Sequence, residues 1–223
     1  MTDKPIKLIA CETIIKEMSH LLPKDLEIYT IVSGLHLHPE KLKVHLQDMI
    51  DQITAESEII ILGFGLCSMA AVGLKADDST LVIPRVDDCI ALFLGSQDEY
   101  KNQRKKEPGT YYLSKGWIEG GVTLTEEFGY TEERLGKRAA EIVMKRMLAN
   151  YTRLAYIYMG KKDQEKFREY SKKEASKLGL RYDEIKGTMR LMEKMLHGPW
   201  DDEFVVAPPG QTIQLKDFEK KAQ

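Results

Sequence analysis

The sequence predicts an α/β protein: a mainly parallel sheet flanked by helices in a Rossmann-like three-layer sandwich. Three observations carry that expectation. Short apolar runs alternate with amphipathic stretches along the whole chain, the pattern of repeated strand–helix units. The run SEIIILGFG at 57–65 is apolar without alternation, as a strand covered on both faces requires. The connections between these runs are short, which suits elements that neighbour each other in space.

From the amino end, IKLIAC (6–11) is a strand and ETIIKEMSHLL the helix behind it. LEIYTIVSG (26–34) alternates and is rich in β-branched and aromatic residues, so it is a second strand. A helix opens at Pro39, a residue that suits the first turn, and presents Leu42, Leu46, Met49, Ile50 and Ile53 at helical spacing. SEIIILGFG is the third strand, LCSMAAVGLKA (66–76) a glycine-bounded turn or short helix, and STLVIPR (79–85) the fourth strand. DDCIALFLGSQDEYKNQRKK (87–106) is expected to be one helix, and TYYLSKGW (110–117) a fifth strand or extended segment.

The second half is more helical. TEERLGKRAAEIVMKRMLANY (131–151) sets Leu135, Ala139, Ile142, Val143 and Met147 on one face. TRLAYIYMG (152–160) is a strand and KKDQEKFREYSKKEASKLGL (161–180) a charged surface helix. YDEIKGTMRLMEKMLHG (182–198) reads as a helix with Ile185, Met189, Met192 and Leu196 on one side, and DEFVVAPPG (202–210) as a last strand before a frayed tail. The 223 residues are read as a single α/β domain, 1–223, with 118–133, rich in Gly and Glu, the candidate hinge between halves.

Composition narrows the function classes. A formal net charge of −2 sets up no field for nucleic acid or anionic lipid, and the basic run KNQRKKE (101–107) reads as a solvated helix end. No apolar run approaches the ~20 residues needed to cross a bilayer, and the first residues lack the pattern of a signal peptide. The expectation is a cytoplasmic protein with no nucleic-acid or membrane partner. Three cysteines in a chain of this length are not a disulfide framework.

Those three cysteines are the most informative feature. Cys11 ends the first strand, Cys67 lies two residues past the glycine that closes the third, and Cys89 lies just past the fourth. If the strands are parallel, all three thiols share the carboxyl rim of one sheet, where open α/β sheets bind ligands. A single free cysteine is most often a small buried hydrophobe. Three on three strand ends point instead to soft-metal ligation, with Zn²⁺ or a 4Fe-4S cluster as candidates. Three protein ligands leave one position open, the arrangement of a catalytic zinc. No C-x-x-C pair occurs, so the expectation rests on inferred geometry.

Residues around the thiols complete the candidate site. Asp87 or Asp88 is suited to cap the helix that starts at Cys89, and Asp88 is also a candidate proton acceptor. Arg85 could hold an anionic substrate or pair with the aspartates. His36 and His38 end the second strand beside the same rim, and His36 is a candidate proton carrier or fourth ligand. The aromatic group Tyr111, Tyr112 and Trp117 reads either as core or as a stacking surface. In the second case Trp117 and Tyr112 are the cofactor-binding residues.

The set IACE, GLHLHP, ILGFGLC, LVIPRVDDCIALFLGS and PGTYYLSKGWIE, spread over roughly residues 6 to 210, resembles a conserved family of anaerobic bacteria and methanogenic archaea catalogued as a domain of unknown function. The family pattern often has a histidine where Asp87 stands here. The resemblance implies an association with corrinoid-dependent methyltransferases and brings no established activity. Joined to the cysteine rim, it suggests a metal-dependent methyltransferase: Cys11, Cys67 and Cys89 on zinc, a substrate thiol in the open position, and methyl transfer from a corrinoid protein. The alternatives are an iron–sulfur protein, a non-catalytic accessory protein that delivers metal or docks a corrinoid partner, and a globular domain with three buried thiols.

Overall fold

The buried run of the third segment becomes the middle of a five-stranded sheet. The computed structural model describes residues 4–32, 34–121, 123–160 and 165–219. In it, Ile6–Cys11 (β1), Glu27–Ile31 (β2), Ile59–Gly63 (β3) and Thr80–Pro84 (β4) pair in parallel, and Phe204–Ala207 (β8) closes the edge antiparallel to β4. The order is β2-β1-β3-β4-β8. A second, three-stranded parallel sheet holds Thr110–Leu113 (β5), Arg153–Tyr158 (β6) and Arg181–Lys186 (β7) in sequence order. The chain divides into two compact units, Met1–Gln97 with Met189–Gln223 and Asp98–Thr188, with one sheet in each. The stretch 118–133 lies wholly inside the second unit.

In the first unit both faces of the sheet are covered, which is why its strands carry apolar residues without alternation. One face packs Ile9, Ile60, Leu62, Leu81, Ile83 and Val205 against Leu42, Leu46, Ile50 and Ile53 of the helix Pro39–Ile53 (α2). Residues pointing the other way, Leu8, Ala10, Ile61 and Val82, are equally buried. There the helices Glu12–Met18 (α1) and Arg190–His197 (α9) lie against the sheet, α9 burying Leu191, Met192, Met195 and Leu196. This is the expected helix–sheet–helix layering. In the second unit a smaller core gathers Leu113, Leu154, Tyr156, Phe167 and Ala175. Among the described residues no helix is long and apolar enough to cross a membrane.

Four elements differ from the sequence-based expectation. The helix expected over 87–106 is two, Cys89–Leu94 (α3) and Gln97–Lys106 (α4), because Gly95 turns left-handed at φ 84° and ends the first. The strand expected over 110–117 stops at Leu113; the Ser114 side chain accepts the Gly116 N–H and starts the helix Lys115–Gly120 (α5). The helix expected over 131–151 is interrupted at Gly136 (φ 81°), leaving Leu124–Leu135 (α6) and Lys137–Leu148 (α7) as neighbours. Residues 182–186 are a strand, not the start of a helix: Ile185 pairs in register with Ile157 of β6, and the helix begins only at α9. The charged surface helix is present as Glu165–Leu178 (α8), and residues 161–164 fall outside the described set. Part of the expected frayed tail is ordered as the short 3₁₀ turn Leu215–Phe218; residues 220–223 are also outside that set.

Candidate functional site

Strands β1, β3 and β4 are adjacent and parallel, so their carboxyl ends form one rim, and Cys11, Cys67 and Cys89 lie at or a few residues past those ends. Cys11 is the last residue of β1 and its thiol lies 3.1 Å from Thr13 Oγ1. Beyond β3 the chain does not turn away at once. Residues 65–67 run beside 86–88, with the Leu66 N–H donating to Val86 O at 2.8 Å and the Cys67 N–H to Asp87 O at 3.0 Å. Gly65 makes this approach possible, since a Cβ there would lie 2.6 Å from Val86 O and 3.1 Å from Asp88 N. The result sets Cys67 against the start of α3, where Asp88 and Cys89 stand.

Cys67, Ser68 and Met69 then follow with φ of 44°, 55° and 74°. Three successive residues other than glycine in the left-handed region cost about 1–2 kcal/mol each. Tertiary structure holds them: Ala70 and Ala71 are buried directly after, and Val72 N–H closes on Met69 O at 3.0 Å. Residues held in this region cluster at functional segments. It was invisible in the sequence, where LCSMAAVG carries no glycine at the left-handed positions.

Electrostatics tie the group together. Burial pushes the Cys67 thiol up to about 12, the backbone of Gly65 works against that rise, and the charges of Asp88 and Cys11 add to it. The Cys89 thiol is raised well above its ordinary range by burial first, then by Cys67, Asp88 and Cys11. The structure thus brings Cys11, Cys67, Cys89 and Asp88 within electrostatic reach of one another. All three cysteines are free and half-buried. Cys67 also packs against the aliphatic core on the α2 face. Among the described residues, no group of three or more His, Cys, Asp or Glu side chains is arranged to hold a metal ion. The donor types suit a soft cation, but their spacing is not that of a finished coordination shell.

The remaining candidates have structural partners or lie away from the thiols. Asp88 caps α3, its Oδ1 accepting the Ile90 N–H at 2.9 Å, while Asp87 is exposed. The Arg85 guanidinium donates to the backbone carbonyls of Asp202, Phe204, Asp217 and Glu219, so it fastens the carboxyl-terminal segment to the end of β4. His36 sits exposed on the 3₁₀ turn Leu35–Leu37 that follows β2, and its Nδ1 accepts the Gly34 N–H at 3.3 Å. His38 is exposed where α2 begins. Tyr112 and Trp117 belong to the second unit. There Trp117 packs against the Leu113–Tyr156 core, and Tyr112 is buried edge-on to Tyr100 with ring centroids 6.3 Å apart. Gly65 and the 67–69 turn are the contributors the sequence reading missed. For Gly65 the paired glycines of GFG, separated from the cysteine by Leu66, were the available signal; the turn had none.

Residues 30–196 match the family described as Protein of unknown function (DUF1638). The chain belongs to the DUF1638 family. No curated protein and no solved structure matches it. The DUF1638 segment contains Cys67, Asp88 and Cys89, together with the strained turn and Gly65, and begins after Cys11.

Proposed function

We propose that the cysteine rim is a soft-metal site, with Cys11, Cys67 and Cys89 as ligands and zinc as the ion, in a metal-dependent enzyme acting on a small thiol. One observation carries the reading: cysteines distant in sequence stand at or just past the carboxyl ends of three adjacent parallel strands, with Cys11 acting electrostatically on Cys67 and Cys89 beside a strained turn. Thiols raised by burial and by neighbouring acidic groups lack a compensating positive charge, and a bound cation reverses that logic by stabilising the thiolates. Zinc with one open position would hold a substrate thiol as its nucleophilic thiolate at neutral pH. The methyl donor, a corrinoid protein, is suggested by the family resemblance alone. In this reading Asp88 keeps its cap on α3 and adds negative charge beside the metal, and Arg85 holds the rim's far side in place.

Metal analysis of protein purified without oxygen tests the proposal. The expected result is about one zinc per chain, lost in Cys67→Ser and Cys89→Ser while the far-ultraviolet spectrum is unchanged. A brown protein that retains iron selects the iron–sulfur form of the site. Protein that holds neither metal, and whose serine variants bind added zinc as the parent does, overturns the reading.

A further inference from the structure

Helices α6 and α7 pack against each other, yet leave several of their apolar side chains exposed. None of the described residues of α6 is buried, and in α7 only Ala140 is. On α7 the outward stripe is Ile142, Val143 and Met147, exposed by 51%, 37% and 39%. Leu135 at the end of α6 is 61% exposed and Tyr130 62%. Large apolar side chains left exposed on two neighbouring helices mark a candidate interaction surface.

The charges say what covers it. Within α6 the charged residues are Glu126, Glu127, Glu132, Glu133 and Arg134, a strongly acidic helix. Within α7 they are Lys137, Arg138, Glu141, Lys145 and Arg146, a strongly basic one. The hairpin therefore carries opposite signs on its two helices, flanking one apolar surface. A surface that is self-complementary in this way suits a two-fold axis, on which the same patch of both copies meets. We infer that two copies of this chain associate through the α6–α7 hairpin, the acidic helix of each against the basic helix of the other, forming a four-helix bundle with Ile142, Val143, Met147 and Leu135 at its centre.

Each hairpin helix has 12 residues, about 18 Å of length. That places the contact at the small end of specific interfaces. Sedimentation velocity of the whole protein from ~1 to ~200 µM is expected to show a reversible monomer–dimer shift. Ile142→Glu, at an exposed position that does not endanger folding, weakens association tenfold or more. The decisive variants reverse charge. Glu132→Lys with Glu133→Lys makes the acidic helix basic; Lys145→Glu with Arg146→Glu makes the basic helix acidic. Each alone loses self-association, and an equimolar mixture regains it as a heterodimer. A protein monomeric throughout the range overturns the inference. So does a dimer indifferent to all three changes, because its contact lies elsewhere; a mixture that fails to associate removes the helix pairing and with it the proposal.

Discussion

Gly65→Ala tests the geometry that delivers Cys67 to its neighbours. The added Cβ would stand 2.6 Å from Val86 O and 2.7 Å from Val86 Cγ2, where ordinary contact begins at 3.4 Å. Both obstacles belong to a residue buried at 3% exposure, and one is backbone, so rotation of a side chain does not relieve the clash. The two segments must part by about 0.8 Å, which stretches the Leu66 N–H to Val86 O bond beyond hydrogen-bonding reach. Overpacking of this kind costs about 1–3 kcal/mol and the lost bond about 1 kcal/mol more, so a destabilisation of about 2–4 kcal/mol is expected. For a unit of this size that lowers the melting temperature by roughly 5–15 °C. The chain has two tryptophans, and in a Trp117→Phe background Trp200 alone reports on the first unit. Its indole is held to α9 by a 3.0 Å bond to Met195 O. Thermal and urea melts followed by Trp200 fluorescence therefore read the unit that contains the change. A melting temperature within about 2 °C of the parent would refute the close approach of 65–67 to 86–88 and with it the placing of Cys67.

Two further outcomes follow from titrating groups. Glu203 is lowered to about 2 by the Arg190 guanidinium, which it accepts at 2.8 and 2.5 Å, with Lys194 at 2.7 Å assisting. Its contribution to stability is present above the unfolded carboxyl range and lost as pH falls towards about 2, so the parent's urea midpoint should decline more steeply below pH ~4.3 than that of Glu203→Gln; parallel curves would contradict the ion cluster. Cys67, raised to about 12, is protonated at neutral pH, and its stabilising preference for the thiol is complete below the unfolded value and lost as pH rises towards about 12. Metal-free native protein at pH ~8 should alkylate at Cys67 at least ~100-fold more slowly than urea-unfolded protein, and rapid native labelling followed by peptide mapping would show the thiol is not desolvated.

The cysteine rim could be anticipated because strand ends are legible where an apolar run meets glycine, proline or a charged cluster. Each of Cys11, Cys67 and Cys89 sits at such a transition. The parallel sense of β1, β3 and β4 followed from uninterrupted apolar runs, which only a doubly covered sheet accommodates. Arg85 and His36 illustrate the limit. Both occupy strand ends as expected, yet Arg85 spends its donors on carbonyls more than a hundred residues later in the chain, and His36 points to solvent. Direction of a long side chain depends on what the fold sets opposite it, and no local pattern encodes that. The same holds for Ile142 and Val143, whose spacing marks an apolar helix face without saying whether anything within the chain covers it.

Local sequence alone determined the alternation of strands and helices, the apolar face of α2, and the presence of a thiol at three strand ends, because each depends on neighbours within a few residues. Only the tertiary structure decided that the strands form two sheets in two units, that Gly65 lets one loop lie against another, and that Cys67–Met69 is held left-handed. These depend on contacts between segments far apart in sequence, whose packing supplies the free energy that local preference opposes.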